Sequence, residues 1–129
     1  MKRFALPLLA LAGLSIGTLA SGSGLAEHLL PGGLPLGNLL MATALSALSG
    51  AAWALSPCGS ARRRFAGLSL AASLLWLPAS ALLAGNLALN FSGTRGAAWL
   101  AGSVAVMVAV LIALAWAMAG FAFDRLRQP

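Results

Sequence analysis

Four apolar runs, interrupted only by small or weakly polar residues, divide the chain at about 4–20, 37–55, 65–83 and 97–123. None of them contains a charged side chain. None shows the alternation of a half-buried strand, and their wealth of Ala and Leu favours helix. A spanning helix needs about 20 mostly apolar residues, each rising about 1.5 Å through a hydrocarbon core about 30 Å thick. In lipid each backbone amide must be satisfied within its own segment or in a closed barrel, which again selects helices. The pattern predicts an all-α integral membrane protein: four transmembrane helices in an antiparallel up-down bundle, with 1–129 as one membrane domain. The first run has a second reading. Met1-Lys2-Arg3 followed by an apolar stretch also describes a secretory signal peptide, with Thr18-Leu19-Ala20 and Gly24-Leu25-Ala26 as passable cleavage sites. We expect a retained helix; cleavage would leave three spans in unchanged orientation.

Small residues recur within the spans. In the fourth, Ala101, Ala105, Ala109, Ala113 and Ala117 return every four positions. Lipid offers no hydrophobic drive for helix association, so small residues that let backbones approach are the main packing device. A period of four exceeds 3.6, so the stripe drifts round the helix and suits a right-handed crossing. Composition competes with this reading, because nine of the 23 residues from Ala97 to Ala119 are alanine. The second span carries Ala42, Ser46, Gly50 and Ala54 at the same spacing, and the third carries Ser69, Ser73 and Ser80. Running these two spans antiparallel sets Ser49 near Ser73 in depth and Thr43 near Ser80, with hydroxyls bonding across or back to carbonyls. Pro78 removes one backbone donor from the third span and predicts a local kink. The recurring strings at Gly37 and Gly85, and at Gly50 and Gly96, fit no single symmetry operation and are compositional.

Charge adds orientation. Only 8% of residues are charged and 60% are hydrophobic, against about 25% charged in ordinary soluble domains. The net charge is +6. Lys2 and Arg3 precede the first span, Arg62, Arg63 and Arg64 separate the second from the third, and Arg125 and Arg127 follow the fourth. The opposite side holds Arg95, with Glu27 and His28. The positive-inside rule puts both termini in the cytoplasm, and an Ala- and Arg-rich composition points to a bacterial cytoplasmic (inner) membrane. Basic clusters beside apolar segments mean anionic headgroups rather than nucleic acid, so Arg62, Arg63 and Arg64 are expected at lipid headgroups. Trp99 and Trp116, toward the ends of the fourth span, fit interfacial anchors.

Candidate chemistry is sparse. No ionisable residue lies at mid-membrane depth, which disfavours proton relays and rotor-ring subunits. His28 is the only histidine, so a bis-histidine haem site is excluded. His28 could touch a peripheral pigment or haem, yet a solvated imidazole explains it as well, and Glu27 with His28 falls short of a metal shell. Cys58, the only cysteine, excludes an internal disulfide; it stands near three arginines but has no second thiol or histidine on its side. Asn90-Phe91-Ser92 matches a glycosylation pattern, but we read it as a polar turn before Gly93. We therefore expect no catalytic residue, no metal and no cofactor. The expected partners are the bilayer and other membrane subunits or a second copy. The function expected is that of a small subunit or accessory protein of a membrane complex, acting through helix packing. The alternative is a small self-associating carrier or channel for a small or apolar substrate.

Overall fold

A computed structural model describes residues 2–127 and consists of four α-helices: α1 (Ala5–Ala20), α2 (Leu36–Leu55), α3 (Ala61–Ala84) and α4 (Gly93–Leu126). Short 3-10 turns at Lys2–Phe4 and Leu25–Glu27 accompany α1 and the loop after it. The architecture is an all-α antiparallel bundle of long apolar helices, as a membrane-embedded chain requires. Three helices, α2, α3 and α4, are long and apolar enough to cross a bilayer. α1 is apolar and, at 16 residues, about 24 Å long.

α3 and α4 run past their apolar spans at both ends, and the ends of α3 show why. Ser60 caps α3 by accepting from the Arg63 amide at 3.2 Å, so helix begins before the arginines and Arg62, Arg63 and Arg64 lie on its first turn. At the other end Gly85 takes a left-handed φ of 75° and stops α3, as a C-terminal glycine does. α3 continues through Pro78 without interruption. α4 has 34 residues. From Arg95 to Arg125 it measures about 45 Å, enough to cross core and headgroups together.

α2 is the hub. It packs against α1, α3 and α4, whereas α1 reaches neither α3 nor α4 among the described residues. Residues all round the second half of α2 are buried accordingly, among them Ser49, Ala51 and Ala52 at 0% exposure. Ala52, Ala66, Ala113 and Ala117 form the tightest cluster, where α2, α3 and α4 meet on alanines flanked by Trp53, Phe65 and Leu114. Side chains this small draw the backbones together.

At the end opposite the arginines two loops meet. The first folds as a small hairpin, with the Leu36 amide donating to the His28 carbonyl and the Leu30 amide to the Leu34 carbonyl. Its turn uses Gly32 and Gly33, both at positive φ, which a side chain would strain. Gly32 also lies against Leu87 of the second loop so closely that a Cβ would collide with it.

Candidate functional site

The polar side chains of this apolar chain concentrate on one seam between α3 and its neighbours. The buried residues of α3 are Ala66, Ser69, Ser73, Trp76 and Ser80, spaced three and four apart. Ser49 of α2 and Ser73 of α3 stand at one depth, their hydroxyls 3.2 Å apart. Each also donates back along its own helix, Ser49 to the Leu45 carbonyl and Ser73 to the Ser69 carbonyl, both at 2.8 Å. Thr43 and Ser80 do not pair with each other: Thr43 donates to the Leu39 carbonyl, and Ser80 is used across the α3–α4 seam.

That use is reciprocal. The Trp76 indole donates to Ser103 Oγ at 2.9 Å, and Ser103 donates to the Trp99 carbonyl. The Trp99 indole donates to Ser80 Oγ at 3.0 Å, and Ser80 donates to the Trp76 carbonyl. Two tryptophans and two serines thus tie α3 to α4 by matched bonds in opposite directions. Below them Ser69 Oγ lies 3.4 Å from the Ala109 carbonyl. Among the described residues, no buried side-chain nitrogen or oxygen lacks a hydrogen-bond partner. The Trp99 N–H bonds inside the bundle and its ring stacks on Phe91 at 4.9 Å, while Trp116 is 46% exposed and packs beside Phe65 with ring centroids 6.2 Å apart.

The alanine stripe of α4 is divided. Ala113 and Ala117 are buried, Ala109 is half-buried, and Ala101 and Ala105 are exposed. The geometry of a period of four explains this: each step advances about 40° round the axis, so Ala101 and Ala117 point about 160° apart. The inward face of α4 follows another series, Trp99, Ser103, Val106, Val110, Ala113 and Ala117. Its alternating steps of four and three match those of α3, the spacing of a left-handed seam rather than the right-handed crossing a period of four suits. On α2, Ala54 and Gly50 are buried while Ala42 and Ser46 are half-buried. This row faces the gap between α1 and α3.

α1 carries a small-residue face that the sequence reading passed over. Ala5, Ala12 and Ser15 face inward, whereas Ala10, Gly13, Gly17 and Ala20 are exposed. Nothing lies within 4 Å of a Cβ built at Gly13 or Gly17. Two glycines four apart in an apolar helix are a known helix-dimerisation pattern. Their spacing was visible in the sequence; their outward direction depends on which face of α1 meets α2.

At the basic end the three adjacent arginines differ. Arg62 reaches Asp124 at 3.4 Å and lies flat across Gly120, where a Cβ would fall on its guanidinium. Arg63 stacks over the Trp53 ring at 3.7 Å and donates to the Ser56 carbonyl and to Cys58 Sγ. Arg64 is exposed. Arg62 thus ties α3 to α4, and Arg63 ties α3 to α2 and the α2–α3 loop.

No family model, curated protein or solved structure matches this chain. Among the described residues no three His, Cys, Asp or Glu side chains gather as metal ligands. Glu27 and His28 stand in the loop between α1 and α2, outside the polar seam.

Proposed function

We propose that this protein is a small polytopic subunit or accessory protein of a larger membrane assembly, acting through helix packing rather than catalysis. The observation that supports this most is the open half of the α4 stripe. Ala98, Ala101, Gly102 and Ala105 face outward, and a Cβ at Gly102 would meet nothing within 4 Å. Small residues gain little against acyl chains, but they let a second helix approach closely. The exposed glycines of α1 supply a comparable face on a helix that does not touch α4. Both faces suit a partner subunit or a second copy of the chain. The basic clusters support a topology with both termini cytoplasmic, and the Ala- and Arg-rich composition supports a bacterial inner membrane.

The carrier or channel reading loses its main support. The hydroxyls of Ser49, Ser69, Ser73 and Ser80 donate to carbonyls of their own helices, which leaves fewer donors for a solute. Crosslinking in the source membrane followed by mass spectrometry tests the proposal. A reproducible partner, or a crosslinked copy, joined through α4 or α1 is expected. Recovery of an uncrosslinked, monodisperse monomer in mild detergent would overturn it.

A further inference from the structure

α1 and α3 both lie on α2 with no Cα of one within 8 Å of the other, so a trough runs between them over α2, with Leu8 packed against Gly50 along it. Two adjoining cavities occupy it, of about 420 Å³ and about 300 Å³, and Leu8 and Ser46 line both. The floor is the small-residue row Ala42, Ser46, Gly50 and Ala54, and the walls are leucines of α1 and α3. From Leu39 to Ala54 the trough follows α2 for about 22 Å, more than the half-core of about 15 Å that belongs to one leaflet. The trough is open, narrow and mainly apolar, with Thr43, Ser46 and Ser73 as its polar lining, a form that suits a single hydrocarbon chain lying along it.

Its basic end decides the headgroup. Trp53 forms part of the wall there and carries the Arg63 guanidinium over its ring at 3.7 Å. Phe4 lines the same end, next to the exposed Arg3, and the exposed Arg64 follows Arg63 on α3. Asp124, the only described acid at this end, is already paired with Arg62 on the α4 side. We propose that this trough seats one acyl chain of an anionic phospholipid from the leaflet at the arginine end, with Arg3 and Arg64 holding its phosphate beside Arg63. Moving a chain from bilayer to trough gains no hydrophobic energy, so selectivity rests on the arginines. Two of them near a headgroup correspond to a preference on the order of tenfold.

Native mass spectrometry of the full chain in mild detergent, titrated with phosphatidylglycerol or phosphatidylcholine, tests this. One phosphatidylglycerol should be retained roughly tenfold more strongly than phosphatidylcholine. Ser46→Leu, which fills the floor, should abolish retention of either lipid while circular dichroism shows unchanged helicity. Should that variant misfold, Arg3→Gln with Arg64→Gln, both at exposed positions, should remove the preference for phosphatidylglycerol, and Arg127→Gln should keep it. Equal retention of the two lipids by the natural chain, or an undiminished preference in the Arg3→Gln, Arg64→Gln variant, would overturn the proposal.

Discussion

Single residues in this bundle matter mostly through size. Gly120 is an exception. Asp124 is 53% exposed, so its ion pair with Arg62 is worth about 0–1 kcal/mol. A side chain at Gly120 would displace the Arg62 guanidinium, but that is the free end of a flexible side chain, so the cost is little more than the ion pair itself. Gly120→Leu and Asp124→Asn should therefore lower the thermal midpoint in detergent by similarly small amounts. A loss of several kcal/mol in Gly120→Leu alone would show that Arg62 is held in place by more than Asp124. Ser73 sits at 0% exposure, yet Ser73→Ala should cost only about 0.6 kcal/mol, because Ser49 keeps its own bond to the Leu45 carbonyl. A loss of several kcal/mol on Ser73→Ala in the same melting experiment would mean that the serine pair does more than close a packing gap. The meeting of Ser49 and Ser73 was legible in the sequence, because antiparallel register alone fixes depth. The Trp76–Ser103 and Trp99–Ser80 exchange was not, since indole direction depends on side-chain rotation about helices whose facing had yet to be known.

At the scale of the helix, one stripe on α4 serves two surfaces. Its drift follows from arithmetic on the sequence, but which half meets the bundle depends on where α2 and α3 stand. Ala113 is 2% exposed and packs on Ala52 and Ala66, so Ala113→Leu should overpack the core, costing about 1–3 kcal/mol. Ala105 is exposed, and Ala105→Leu should leave the melting of the isolated chain unchanged within about 0.5 kcal/mol. Equal destabilisation by both substitutions would mean that the stripe is a single internal face. The apolar runs located every helix, while their ends were less legible: capping by Ser60 draws three arginines into α3, which hydropathy alone assigns to a loop. The spacing of Gly13 and Gly17 stands in the sequence, but their exposure depends on which face of α1 packs on α2.

For the whole molecule, orientation and assembly remain to be measured. Cys58 is the only cysteine and is exposed at the arginine end, which makes it a natural reporter. With a cytoplasmic arginine end, a membrane-impermeant thiol reagent should label inverted vesicles and spare intact spheroplasts. Labelling of spheroplasts alone would invert the topology. The outward small-residue half of α4 is proposed as an assembly surface, and particle mass reads this out: light scattering in mild detergent compares the natural chain with the Ala101→Leu, Ala105→Leu double variant, each expressed in the source membrane. The natural chain should run as a complex or oligomer, and the double variant as a folded species of markedly lower mass. Identical masses for the two, with both folded, would show that this face is not an interface.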